Sequence, residues 1–125
     1  MIASLVNGDV STQILGSVVR RGLAPNSCVV ALADSVPHSS DLLGARLGSV
    51  NAGASGPLTG FVGGMVVALD GAAADGDSIY LSASTAGRGT NVAPPISVHL
   101  GTAYRTYLAS GVWYAELIVP PEGVS

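Results

Sequence analysis

Short apolar runs rich in β-branched residues alternate along the chain with polar breaks, and seventeen glycines and seven prolines supply most of those breaks. Runs too short for helices, bounded by Gly, Pro, Asn and Asp, predict strands. They fall at Ser17–Arg20, Cys28–Ala33, Ala45–Val50, Leu58–Val62, Met65–Leu69, Ser78–Leu81, Ser97–Leu100, Ala103–Leu108 and Val112–Val119. Many short strands with regular turn signals predict an all-β fold: an antiparallel β-sandwich or a barrel-like domain.

The last strand shows the clearest alternation. One face carries Trp113, Ala115, Leu117 and Val119, and the other carries Val112, Tyr114, Glu116 and Ile118. One of the two faces belongs against a core, and the other is partly exposed or covered by a partner. Pro120-Pro121 removes two ladder donors and ends the run. A single helical competitor exists. Val10, Ile14 and Val18 recur at helical spacing with Asp9 or Ser11 as N-cap, although Gly16 interrupts the pattern.

Residues 1–10 stand apart as an extended N-terminal arm, with 11–125 as a single β domain. Ile2, Leu5 and Val6 are apolar, and Asn7-Gly8 follows as a turn signal. Besides a frayed end, two readings stand: an edge strand closing the chain's own sheet, or an arm adding as a strand to a neighbouring subunit.

Composition changes the picture more than the pattern does. The chain is 48% hydrophobic but only 5% aromatic, and its 10% charged residues compare with about 25% in ordinary domains. Its mean hydropathy is +0.51. So little charge leaves two outcomes: an exterior of Ser, Thr, Gly and Asn, or an exterior buried against other chains. No apolar run approaches the ~20 residues of a spanning helix, so no membrane partner is expected. The N-terminus has no basic region before Asn7-Gly8-Asp9, which points to synthesis in a cytoplasm. There is no lysine, the five arginines are scattered and the net charge is -3, so no nucleic-acid partner is expected.

Candidate chemistry is sparse. Cys28 is the single cysteine and lies in an apolar run, where it reads as a small buried hydrophobe. His38 and His99 have no metal-ligand spacing to each other or to Cys28. Asp70, Asp75 and Asp77 flank glycines as tight turns require. No nucleophile elbow or phosphate loop occurs, so no enzyme, cofactor or metal is expected. Trp113 reads as core or interface.

The order of the segments carries a resemblance. Val29-Val30-Ala31-Leu32-Ala33-Asp34-Ser35 precedes Leu43-Gly44-Ala45-Arg46-Leu47-Gly48, then Gly63-Gly64-Met65-Val66-Val67-Ala68-Leu69. Gly76-Asp77-Ser78-Ile79-Tyr80-Leu81-Ser82 leads into a Gly/Thr/Pro loop ending at Pro94-Pro95, and Val98-His99-Leu100-Gly101 follows. From about Gly16 to Val119 this order resembles the small β-rich structural domains of tailed bacteriophages, found in capsid decoration (cement) proteins and in tail-fibre or other appendage proteins. The resemblance implies a non-enzymatic virion protein on the capsid exterior, synthesised in a bacterial cytoplasm. It implies the major capsid protein as partner, together with copies of the same chain as a homotrimer. Ser82 to Pro95 then forms an ordered loop that offers a smooth, uncharged contact surface. Ile2, Leu5, Val6, Tyr104, Tyr107 and Trp113 are the interface candidates. Two alternatives stand beside decoration: a small tail-fibre, head-fibre or baseplate component, and a carbohydrate-binding module stacking sugars on Trp113, Tyr104, Tyr107 and Tyr114.

Overall fold

The computed structural model describes residues 2–119, with side chains from Ser4 onward. The first half of the chain closes a five-stranded barrel from β1 (Ile2–Asn7), β2 (Val18–Arg21), β3 (Ser27–Val30), β4 (Leu42–Arg46) and β5 (Ser55–Thr59), in the order β1-β3-β2-β4-β5. The second half forms a sheet from β6 (Val66–Ala68), β7 (Ser78–Leu81), β8 (Gly89–Thr90), β9 (His99–Ala109) and β10 (Val112–Ile118), in the order β6-β10-β9-β7-β8. A parallel bridge from Leu69 to Gly89 draws the two edges of that sheet together. The fold is all-β, as the alternation predicts; a 3-10 turn at Pro37–Ser39 is the one helical element among the described residues.

Several expectations change. Residues 2–7 are not an extended arm. Their backbone pairs antiparallel with β5 from Ile2↔Thr59 to Val6↔Ser55, and parallel with β3 at Val6↔Ser27 and Asn7↔Cys28. With one edge paired to β5 from Ile2 to Val6 and the other held by β3 at Val6 and Asn7, β1 closes the chain's own sheet. The parallel β1–β3 pair also means the domain is not antiparallel throughout. The helix suggested by Val10, Ile14 and Val18 is absent: Gly16 adopts φ +80, and Gln13 instead bridges to Val50. Pro120-Pro121 lies outside the described residues.

Strand limits move for local reasons. The run predicted as Cys28–Ala33 leaves the barrel after Val30, because Ala33 N donates to the Ser82 carbonyl in the second half of the chain (2.9 Å). The strand expected at Ala45–Val50 starts earlier, at Leu42. Gly44 permits this: its φ is +146, and a Cβ there would overlap the Thr59 carbonyl oxygen. Two predicted strands, Ser97–Leu100 and Ala103–Leu108, are one long β9 that absorbs irregular register opposite both β7 and β10.

Neighbouring residues on one strand serve two cores. Val19 turns into the barrel with Cys28 and Leu58. Val18 turns outward to Ala31, Ala33 and Ala45, where it meets Met65, Val67, Leu81 and Leu117 from the second half. The period-two rule of a strand therefore joins the halves into one body. Burying each large aliphatic side chain contributes about 1.5–3 kcal/mol. Backbone hydrogen bonds cross the same seam: Val18 N to Gly87 O (2.8 Å), Gly87 N to Ala31 O (2.7 Å) and Ala68 N to Gly16 O (2.9 Å). Gly16 suits this approach, since a Cβ would stand 2.6 Å from the Ala68 nitrogen.

The barrel lumen is not purely apolar. Arg46, only 1% exposed, reaches inside and donates to Gln13 Oε1 (2.7 Å), the Gly56 carbonyl (2.6 Å), the Leu5 carbonyl (3.1 Å) and Cys28 Sγ (3.1 Å). Asn7, buried beside them, donates to the Ser11 and Val50 carbonyls at 2.9 Å. These bonds tie β1, β3, β4 and β5 to the Asp9–Gln13 segment, and they satisfy groups that would be costly to bury alone.

Candidate interaction surface

All four tyrosines of the chain lie on the face of the second sheet turned away from the core. The register shows why. On β10, Ala115 and Leu117 are fully buried, so Tyr114, Glu116 and Ile118 point the other way. Opposite them stand Tyr107 (facing Tyr114), Arg105 (facing Glu116) and Thr102 (facing Ile118). On β7, buried Ile79 and Leu81 flank Tyr80, which pairs with His99 at a ring separation of 5.2 Å.

A β-bulge sets the centre of this face. Glu116 pairs with Arg105 and Leu117 with Ala103, so Tyr104 is an extra residue on β9. The extra residue places two consecutive side chains on one side of the sheet, and both reach the same carboxylate. Tyr104 Oη donates to Glu116 Oε1 (2.8 Å), and Arg105 Nε lies 3.1 Å from Glu116 Oε2. The hydrogen bond to Glu116 is the main cause pushing the Tyr104 phenol above its ordinary pKa. Arg105 also lies over the Tyr107 ring, 5.1 Å from its centroid, while Tyr107 stacks on Tyr114 at 5.5 Å and 23°. Stacking leaves Tyr114 only 8% exposed, although it faces outward. Tyr104 and Ile118 are 47% and 55% exposed. The carboxylate on this surface is thus paired, and what the surface presents outward is aromatic, aliphatic and hydroxyl groups together with the 63% exposed Arg105 side chain.

The expected interface residues divide. Tyr104 and Tyr107 share this face. Trp113 does not: it is half-buried on the opposite side of β10, against the main core. A stacking platform that combines Trp113 with the tyrosines is therefore not formed on one surface. Leu5 is half-buried and packs against the barrel core, and Val6 is a half-buried residue of β1. The side chain of Ile2 lies outside the described part. Arg105 and Tyr80 join the face without having been singled out from sequence, and Glu116 and His99 join it without having been named as interface candidates; the Tyr114–Glu116–Ile118 alternation was the available signal, and the bulge concealed the rest.

The segment from Ser82 to Pro95 is ordered by specific bonds. Ser82, fully buried, donates to Asp70 Oδ2 (2.9 Å) and accepts from the Ser84 and Thr85 amides (3.2 and 3.1 Å). Its middle forms the short strand β8, where Gly89 fits beneath Ile79 because a Cβ would stand 2.8 Å from the Ile79 methyl. Val92, Pro94 and Pro95 line a shallow depression of about 320 Å³ on its outer side. The acidic loop is a turn: Gly76 has φ +93, Asp77 N donates to Ala74 O (3.1 Å), and the Asp77 carboxylate accepts from Ala74 N (2.9 Å) and Asn91 (3.1 Å). The Ala74 amide is the first cause holding the Asp77 carboxyl below its ordinary pKa.

Among the described residues, no three His, Cys, Asp or Glu side chains gather as a metal site would require. His38 pairs with Asp34 at 2.8 Å on an exposed turn. Among the described residues no helix is long and apolar enough to cross a membrane. Comparison with known proteins returns no matching family model, no matching curated protein and no matching solved structure.

Proposed function

We propose that this chain is a virion structural protein of a tailed bacteriophage, a decoration protein that binds the major capsid protein and stabilises the shell from outside. The observation that carries the reading is the outer face of the second sheet. It holds every tyrosine of a chain that is only 10% charged, and its one arginine and one glutamate neutralise each other there. A face of that kind can be covered without leaving a charge uncompensated, and it gains from contact with another protein, as interface cores enriched in tyrosine and arginine do. Stable interfaces bury about 1,200–2,000 Å² in total. Repetition over a symmetric shell then multiplies a modest single-site affinity. In this reading copies associate as homotrimers at local three-fold positions, and Val92, Pro94 and Pro95 add a second, uncharged contact.

The test is binding of the purified protein to capsids assembled without it. Full occupancy by the wild type and loss of binding by the Tyr104→Ser/Ile118→Ser double variant, with its melting temperature unchanged, is the expected result. Equal occupancy by the variant would remove the tyrosine face from the interface, and no binding by the wild type would remove the decoration role. A small fibre or baseplate component uses the same surface, and a low copy number per particle distinguishes it. Tyrosines beside hydroxyl and carboxylate groups also suit sugars. A glycan signal lost on Tyr104→Ala would favour that reading.

A further inference from the structure

The wall of the first barrel is incomplete along β1. That strand has six residues, but β3 covers its edge only at Val6 and Asn7. On this edge the Val6 N–H donates to the Asn26 carbonyl (2.8 Å) and the Gly8 N–H to the Cys28 carbonyl (2.9 Å). Backbone groups of a strand point to the same edge at every second residue, so the N–H and carbonyl of exposed Ser4 face it too. Among the described residues neither group has a partner there.

The β2–β3 hairpin explains the gap. Asn26 has φ +58, and the turn closes with Gly22 N donating to Ser27 O (3.0 Å), so β3 begins only at Ser27. Upstream of it, Pro25 has no N–H to offer, and the Ala24 carbonyl already accepts from Ser27 Oγ (2.7 Å). Between this hairpin and β1 lies a depression of about 400 Å³. Leu5 and Leu43, both half-buried against the barrel core, give it an apolar lining. Exposed Arg21 lines it as well. Its backbone N–H reaches the Asp41 carbonyl (3.1 Å), but among the described residues no carboxylate comes within ion-pair distance of its guanidinium. Leu23, fully exposed in the hairpin, completes the border.

We propose that this gap accepts a donated strand: an extended segment of a partner protein that carries an apolar residue and, two positions on, an Asp or Glu. Each feature of the gap selects one property of the occupant. A free N–H and C=O on one strand edge require extended backbone, which pairs there by strand addition. Leu5 and Leu43 require an apolar side chain pointing inward. Arg21 requires a carboxylate, which its guanidinium can take by two parallel hydrogen bonds. Residues two apart on a strand share a face, so the apolar and acidic side chains enter the gap together. The ion pair lies at the surface, and salt therefore weakens it. This contact is separate from the tyrosine face on the second sheet and does not depend on it.

The experiment is an amide NMR titration of the isotope-labelled chain with two blocked peptides at millimolar concentration. One is Thr-Val-Thr-Glu-Thr, and its charge-reversed counterpart is Thr-Val-Thr-Lys-Thr. The Glu peptide is expected to shift the Ser4, Gly22 and Leu23 amides and to slow hydrogen exchange at Ser4. The Lys peptide is expected to bind several-fold more weakly. Arg21→Glu, at an exposed position and with an unchanged melting temperature, should reverse that order. Absence of any shift at Ser4 with the Glu peptide overturns the proposal, as do shifts confined to the tyrosine face. An unchanged order of the two peptides on Arg21→Glu overturns it too. None of these readouts involves a capsid, so the decoration role stands or falls separately.

Discussion

Arg46 Nε donates to Gln13 Oε1 across 2.7 Å inside a barrel whose other lumen residues include Val19 and Leu58. The bond joins the end of β4 to a segment with no strand of its own, and so holds the Asp9–Gln13 stretch against the barrel mouth. Asp9 continues the chain of contacts by accepting from the Val30 amide at 2.9 Å. A buried guanidinium without a directly contacting carboxylate depends on this set of neutral acceptors.

Arg46→Met tests that dependence. The substitution keeps much of the side-chain volume but leaves the Gln13, Gly56 and Leu5 oxygens without their donor. Since each unsatisfied buried group costs about 1–3 kcal/mol, a loss of about 3 kcal/mol is expected in urea unfolding, after partial relaxation. A change below about 0.5 kcal/mol, the range of ordinary surface substitutions, would show that the network contributes little.

Removal of Ile2–Asn7 is expected to open the barrel. Both ladder edges, on β3 and β5, lose their partner together with buried Asn7. The truncated chain should therefore lose its cooperative thermal transition or aggregate through the exposed edges. A truncated protein that melts like the wild type would return the segment to the status of a dispensable arm.

Gly44→Ala should be destabilising by about 3 kcal/mol, because the position combines a positive φ with contact to a backbone carbonyl. Gly53→Ala is the control. It also has positive φ, but a Cβ there meets nothing within 4 Å, so its cost should be visibly smaller. Equal costs at the two sites would show that the close approach to Thr59 adds nothing to backbone strain.

Asp77 supplies a pH dependence. Its carboxyl lies below the ordinary value of 3.8, mainly through the Ala74 amide and then through Asn91. A depressed value means that the unfolded chain takes up the proton first as pH falls. The contribution is complete above 3.8 and disappears as pH drops through the lower folded value. Comparing the acid limbs of stability curves for wild type and Asp77→Ala should show this extra loss in the wild type alone. Parallel limbs would mean that the turn does not depend on the ionised carboxylate. The group is exposed, so the effect is modest and salt-sensitive.

The parts of the fold set by period-two alternation were legible in sequence. Val112–Val119 divides into two faces as the alternation predicts, and packing decides between them, with Ala115 and Leu117 inward and Glu116 and Ile118 outward. Ser78–Leu81 has the predicted limits. What alternation could not reveal depends on long-range pairing. Ile2–Asn7 has the same apolar content as an arm or a strand, and only β3 and β5 decide between them. Tyr104 breaks the period because it is a bulge, so the clasp on Glu116 has no local signature. Arg46 sits at the end of Leu-Gly-Ala-Arg, where an arginine ordinarily signals exposure; its lumen position follows from the pairing Arg46↔Leu58. Cys28 was expected to be buried among apolar neighbours. It is buried, but between Arg46 and Gln13, residues far from it in sequence.

The decoration role is tested most directly by a density map of purified phage particles at a resolution that traces β-strands. The account predicts many copies of this two-part β fold on the outside of the head, with Tyr104 and Ile118 buried against the shell or a neighbouring copy. Particles whose heads carry no such density, or copies whose tyrosine face points into solvent, would contradict it.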